Sequence, residues 1–211
     1  MKLADYLAPL PLVAVLRGIT PDEIDDVGDA LVAEGFRILE VPLNSPHPYE
    51  SIRRLARRFG QRCLVGAGTV VDSRDVARVD EAGGRLIVMP HADVAVVREA
   101  KRLAMICMPG VATPTEAFAA LAAGADGLKL FPAEAMVPAT LRAWRAVLPK
   151  GTLVFAVGGI RPDTMAAWWA QGADGFGTGS NLYKPGAAAA QVRSAAAAYA
   201  AAIRALPAGH A

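Results

Sequence analysis

Five lysines occur in the chain, and one of them stands where its charge is disfavoured. Lys129 lies in Ala125-Asp126-Gly127-Leu128-Lys129-Leu130-Phe131-Pro132, a run that reads as a buried strand bounded by Gly and Pro. The other four, Lys2, Lys101, Lys150 and Lys184, fall at the terminus, on an expected helix face, or in loops rich in Gly and Pro. In water a lysine is only about 0.04% neutral at pH 7, so an amine nucleophile needs desolvation or a neighbouring cation. A packed strand supplies the first. The competing reading is an ammonium that snorkels to the mouth of the fold and pairs with a carboxylate.

Glu40, in Ile38-Leu39-Glu40-Val41-Pro42, is an acid inside a second apolar strand. Burial raises a carboxyl pKa toward the range in which it can both give and take a proton, which is what imine chemistry requires. Its alternative role is a structural salt bridge to Lys129 or Arg17. Arg17 closes the strand Leu12 to Leu16; its planar fork suits a carboxylate, and its field would depress the Lys129 pKa. It could instead serve only as the partner of Glu40. Gly66-Ala67-Gly68-Thr69 lets backbone approach a ligand and presents the Thr69 hydroxyl, or is simply a tight turn with a helix cap. Val157-Gly158-Gly159-Ile160 and Gly177-Thr178-Gly179-Ser180 follow the last two expected strands. In barrels these two loops often present backbone amides, with a short helix N-terminus, to a phosphate; close packing or a tight turn is the alternative reading of the glycines. Gly177-x-Gly179 is no dinucleotide fingerprint, because a third glycine and a ribose-binding acid are missing.

These residues share one address: each falls at or near the C-terminal end of an expected strand. Eight continuously apolar runs alternate with helical segments, the pattern of a parallel sheet covered on both faces. The runs are Leu12 to Leu16, Arg37 to Val41, Cys63 to Val65, Leu86 to Val88, Met105 to Cys107, Gly127 to Leu130, Leu153 to Val157 and Gly175 to Gly177. Thr20-Pro21 and Thr113-Pro114 read as helix caps followed by Pro at the first helical position. Eight units in 211 residues point to a single-domain (β/α)8 TIM barrel spanning 1–211 with a short N-terminal helix. A doubly wound open sheet is the alternative.

Composition narrows the function. A net charge of +2 does not favour nucleic acid or an acidic membrane surface as partner, and Arg53, Arg54, Arg57 and Arg58 read as a solvated helix face. Cys63 and Cys107 have no ligand spacing and read as reduced core residues of a cytoplasmic protein. His47, His91 and His210 do not form a metal set. No apolar run approaches a membrane span, and Pro9 and Pro11 interrupt the place of a signal peptide's apolar region, so neither export nor a membrane partner is expected.

Five motifs together resemble the class I 2-keto-3-deoxy-6-phosphogluconate (KDPG) and 6-phosphogalactonate (KDPGal) aldolases. They are Leu16-Arg17-Gly18-Ile19-Thr20, Leu39-Glu40-Val41-Pro42-Leu43-Asn44-Ser45, Gly66-Ala67-Gly68-Thr69-Val70, Leu128-Lys129-Leu130-Phe131-Pro132-Ala133 and Phe155-Ala156-Val157-Gly158-Gly159-Ile160. The resemblance implies a homotrimeric barrel, free of cofactors, that cleaves a phosphorylated sugar acid to pyruvate and glyceraldehyde 3-phosphate. It implies a Schiff base on Lys129, acid and base work by Glu40, the pyruvate end on Arg17 and Thr69, and the phosphate on Gly158, Gly159, Gly179 and Ser180. Asn44 and Val157 stand where the phosphogluconate branch usually has arginine and threonine. Both departures resemble the phosphogalactonate branch: loss of the arginine shifts carboxylate binding to Arg17, and Val157 lacks the hydroxyl that would contact the substrate hydroxyl separating the two sugar acids. The resemblance therefore implies 2-dehydro-3-deoxy-6-phosphogalactonate as substrate, with the gluconate epimer or both as the alternative. A barrel isomerase or synthase and a non-catalytic sugar-phosphate binder remain the rival readings.

Overall fold

The computed structural model describes residues 2–8 and 10–207; Pro9 and His210, both weighed above, lie outside the described residues. A 3-10 helix, Leu3–Tyr6, leads into β1 (Leu12–Val15), α1 (Ile24–Ala33), β2 (Ile38–Pro42), α2 (Pro48–Phe59), β3 (Leu64–Gly68), α3 (Ser73–Glu81), β4 (Leu86–Val88) and α4 (Val94–Arg102). Then follow β5 (Ile106–Met108), β6 (Gly110–Val111), α5 (Pro114–Ala122), β7 (Leu128–Leu130), α6 (Pro138–Arg145), β8 (Val154–Val157), α7 (Met165–Trp169), β9 (Gly175–Thr178) and α8 (Ala189–Arg204). Among the described residues no helix is long and apolar enough to cross a membrane.

The strands form one parallel sheet in the order β5-β4-β3-β2-β1-β9-β8-β7-β6. The expected strand Met105 to Cys107 forms as β5; beyond Pro109, which has no N–H to give a ladder, the chain adds a ninth short strand, β6, outside the eight expected runs. β5 pairs with β4 and β6 with β7, so the two ends of the sheet meet on either side of a single residue. That closes a TIM-like barrel and excludes the open doubly wound sheet.

Every strand residue is buried, and they sort into two cores by their period of two. Ala14, Leu39, Val65, Ile87, Cys107 and Leu128 face the helices; Val13, Ile38, Leu64, Leu86, Ile106 and Phe155 fill the barrel axis. Leu3 plugs the axis from below. Each such Leu, Ile or Phe contributes about 1.5–3 kcal/mol by leaving water. The same alternation that turns Ile38 inward turns Glu40 inward one layer higher, on the rim that forms the site.

Two identical Gly-Ala-Asp-Gly segments set where β7 and β9 begin. The Asp126 carboxylate accepts from the Cys107 amide at 2.8 Å and from Lys101 Nζ at 2.6 Å. Asp174 likewise accepts from the Val154 amide at 2.7 Å and from the Arg145 guanidinium. Each aspartate thus fixes its strand against the preceding one, and the register of Lys129 follows.

Two local expectations change. Thr113 caps α5 as expected, with Glu116 completing the box. Thr20-Pro21 does not start α1: residues 21–23 form a turn, and the helix begins at Ile24. Thr20 instead donates through its amide and its hydroxyl to Glu23, at 3.0 and 2.7 Å. Gly66-Ala67-Gly68 also belongs to β3 rather than to a turn, because the neighbouring strand leaves no room for side chains there: a Cβ on Gly66 would meet the Leu86 carbonyl oxygen at 2.0 Å.

Candidate active site

Lys129 and Glu40 project into the upper barrel from β7 and β2, with exposures of 6% and 1%. Neither snorkels. Glu40 Oε2 has no hydrogen-bond partner, and among the described residues Lys129 makes no ion pair; its Nζ lies 4.5 Å from the centroid of the Phe131 ring. The structural salt bridge that sequence reasoning weighed for Glu40 is therefore not made. What the two groups share is a dry environment. Burial pushes the Glu40 carboxyl up to about 7 against the opposing pull of Lys129 and Arg17. Burial also pushes the Lys129 ammonium down; the Glu40 carboxylate opposes this and the Arg17 charge assists it. Both shifts favour the uncharged forms, an amine beside a carboxylic acid, which is the arrangement a nucleophile with a proton shuttle needs.

Space for the acid comes from β3. A Cβ on Gly68 would sit 1.7 Å from Glu40 Oε2, so the glycine is what lets this carboxyl lie against the strand. A space of about 10 Å3, close to what one water needs, is bounded by Glu40, Lys129, Met108 and Val157.

Arg17 fans out above this layer. Its Nη1 donates to Asn44 Oδ1 at 2.7 Å and its Nη2 to Thr69 Oγ1 at 3.3 Å. Thr69 holds a left-handed backbone (φ 54°), a conformation that strains a β-branched residue and that brings its hydroxyl to the guanidinium. The loop after β1 is tied down as the Gly18 amide donates to Ser45 Oγ at 2.9 Å.

A cavity of about 430 Å3 opens over Lys129, within the size range of small-molecule sites. Arg17, Lys129, Val157, Gly158, Gly159, Gly179 and Ser180 all line it. Gly158 (φ 107°) and Gly159 (φ 67°) adopt backbone that side-chain-bearing residues rarely hold. Among the described residues no hydrogen bond starts from the backbone N–H of Gly158, Gly159 or Ser180, so all three can serve an anion. The expected short helix at this anion site is not formed. After β9 the Leu182 and Tyr183 amides both donate to the Gly179 carbonyl and close a turn instead, and Asn181 Nδ2 reaches the Ile160 carbonyl at 3.3 Å.

This geometry has known counterparts. The family model for KDPG and KHG aldolase matches residues 3–195. The chain belongs to the KDPG and KHG aldolase family. It is 49% identical over 183 residues to the probable 2-dehydro-3-deoxy-6-phosphogalactonate aldolase of Rhizobium meliloti (strain 1021), covering 87% of this chain and 86% of the relative. It is 44% identical over 195 residues to the 2-dehydro-3-deoxy-6-phosphogalactonate aldolase of Escherichia coli (strain K12), covering 92% and 95%. A solved structure described as "Native KDPGal structure" superposes with a TM-score of 0.92 at 43% identity, covering 97% of this chain and 98% of that one. This family member is an aldolase, a lyase, in a TIM-like barrel.

Of the nine residues the sequence singles out for this aldolase, seven line the large cavity. Glu40 lies in the layer beneath, and Thr69 reaches the site through Arg17. The sequence marks Asn44 only as a missing arginine, yet its amide oxygen is what orients Arg17. Phe131, Glu134, Tyr183 and Lys184, to which sequence reasoning assigns no role, come to the same cavity. Phe131 stands two residues after Lys129, so the strand's period of two was the available signal. Nothing local marked Tyr183 or Lys184.

Proposed function

We propose that this aldolase cleaves 2-dehydro-3-deoxy-6-phosphogalactonate to pyruvate and D-glyceraldehyde 3-phosphate through a Schiff base on Lys129, in the breakdown of galactonate. The observation that carries the reading is the dry, unpaired Lys129, with Glu40 in the layer beneath it, in a cavity that free backbone amides also line. The names of the relatives support the substrate.

The Lys129 amine attacks the C2 carbonyl, and loss of one water from the carbinolamine gives an iminium. Glu40, as carboxylate, takes the proton from the C4 hydroxyl, directly or through one water in the space beside it. The C4–O electrons form the aldehyde carbonyl as the C3–C4 bond breaks, and its electron pair moves into the iminium to give an enamine. The aldehyde departs. Glu40 then delivers its proton to C3, and one water hydrolyses the pyruvyl iminium, freeing pyruvate and the amine. Water is balanced over the cycle, and the steps call on no cofactor.

Arg17, held by Asn44 and Thr69, takes the substrate carboxylate; Gly158, Gly159, Gly179 and Ser180 take the phosphate. Val157 presents only methyl groups beside the reacting carbons, which fits a substrate whose C4 hydroxyl is not bonded from that side. We read residues 1–211 as one cytoplasmic domain that works as a homotrimer. One closed sheet supports the first part, and the exposed apolar side chains of Val71, Phe118, Val137 and Val147 support contacts between copies.

Borohydride reduction in the presence of pyruvate, followed by peptide mass spectrometry, tests the scheme. A reduced pyruvyl adduct is expected on Lys129 and on no other lysine, and Lys129→Ala should lose both adduct and turnover. Turnover without an adduct would replace this reading by non-covalent proton transfer, and ligand binding with neither would replace it by a binding protein.

A further inference from the structure

The segment 179–188, between β9 and α8, carries Ser180 and Lys184 to the cavity yet contains neither helix nor strand. Leu182 and Tyr183 anchor it in the core, and two of its hydrogen bonds to the rest of the barrel end on one atom. Glu23 Oε1 accepts from the Gly186 amide at 2.8 Å and from the Tyr183 hydroxyl at 3.2 Å. The other oxygen, Oε2, accepts from the amide and the hydroxyl of Thr20, three residues after Arg17. The same carboxylate thus joins the loop after β1 to the loop after β9. Where the loops meet, Gly18 (φ 81°) leaves room for Pro185: a Cβ there would stand 2.7 Å from Pro185 Cγ. Glu23 itself does not line the cavity; Arg17, Gly18, Tyr183, Lys184 and Pro185, on either side of it, do.

We infer that Glu23 is a positioning residue for the phosphate end of the substrate, strapping the Ser180–Lys184 segment to the loop that carries Arg17. An acid so close to an anion site would by itself repel the ligand. Here its charge is occupied by four donors, and Lys184 is the one cation the strapped segment adds to the cavity that Gly158 and Gly159 also line. Partial burial pushes the Glu23 carboxyl up, but the hydrogen bonds from Thr20, Gly186 and Tyr183 outweigh that and hold it below its ordinary value, so it remains an acceptor at neutral pH. The strap sets the distance between the carboxylate-binding fork of Arg17 and the phosphate-binding turn, hence the length of substrate that spans them. This inference rests on the proposed cleavage of a phosphorylated sugar acid.

The test uses the full chain in the condensation direction, with pyruvate and either D-glyceraldehyde 3-phosphate or unphosphorylated D-glyceraldehyde, and reads kcat and KM separately. Glu23→Gln, which turns one acceptor into a donor against Gly186 or Thr20, should raise KM for the phosphorylated aldehyde about tenfold. It should leave KM for glyceraldehyde within about twofold and the pyruvyl adduct on Lys129 intact. Thr20→Val, which removes one donor at a residue that does not line the cavity, should move KM the same way by about threefold, and decides the matter if Glu23→Gln fails to fold. Equal changes for both aldehydes, or a fall in kcat alone, would reduce Glu23 to a structural brace and overturn the inference. Absence of a pyruvyl adduct on the unmodified protein is a different failure: it overturns the aldolase scheme, and the positioning role with it.

Discussion

Glu40 lies against Gly68 so closely that its Oε2 stands 1.7 Å from where a Cβ on the glycine would be. The relationship makes a residue with no side chain part of the acid's environment. Gly68→Ala must displace the carboxyl or the strand, and overpacking of this kind costs about 1–3 kcal/mol. Activity should fall at least about a hundredfold, as for loss of a positioned proton shuttle. Circular dichroism and thermal melting should meanwhile show a folded barrel; a Gly68→Ala protein with native turnover would show that the carboxyl has another place to sit.

Glu40→Gln separates chemistry from stability. Cleavage should drop by about 10²–10⁴ while pyruvate still forms its adduct on Lys129. The folded carboxyl titrates near 7 and the unfolded one near 4.5, so the folded state holds a proton that the unfolded state has lost between these values. The stability that comes with that proton is complete below about pH 4.5 and is lost as pH rises through 7. Glutamine cannot titrate. The variant should therefore gain on the native protein from pH 4.5 to pH 8, by at most about 3 kcal/mol for a shift of 2.5. Denaturant unfolding at the two pH values measures it, and parallel curves would refute the buried-acid account.

Asn44 fixes one arm of the Arg17 fork. Asn44→Ala should raise KM for pyruvate by about five- to tenfold, with little change in KM for the aldehyde, because a charge-assisted hydrogen bond that orients the guanidinium is lost. Steady-state kinetics in the condensation direction reads the split; an unchanged pyruvate KM would mean that Thr69 alone suffices.

Val157→Thr introduces a hydroxyl beside the reacting carbons. The ratio of kcat/KM for the galactonate-series substrate to that for its gluconate epimer should fall about tenfold, since one hydrogen bond discriminates by little more than that when both epimers fit. Cleavage assays with the two epimers decide it.

Much of this is legible in the amino-acid sequence. Continuous apolar runs with helices between them gave the parallel barrel, because both faces of each strand are covered, and a charge inside such a run marked Lys129 and Glu40. The places where reading failed share a cause: a side chain or a neighbouring strand supplied what local pattern could not show. Thr20-Pro21 carries every mark of a helix start, but Glu23 draws Thr20 into a turn. Gly66-Ala67-Gly68 looks like a turn because the partners that forbid side chains there, Leu86 and Glu40, come from other strands. Pro109 separates β5 from β6 at the two ends of the sheet, and no periodicity reports which neighbour each strand chooses. Asn44 was visible as a residue type; its bond to Arg17 spans 27 positions.

The inner wall of the barrel is built by lending volume from one strand to the next. Phe155 occupies the place Gly175 leaves open, and Val157 the place Gly177 leaves open, with would-be Cβ atoms 2.5 and 2.7 Å from the larger neighbour. Neither member of such a pair is free to vary alone, since enlarging the glycine crowds the lumen and trimming its neighbour hollows it. Exchanged together, they slide the wall sideways at constant volume. The route by which this scaffold can be taught a different sugar therefore runs through residues that change in twos, across a shared ladder.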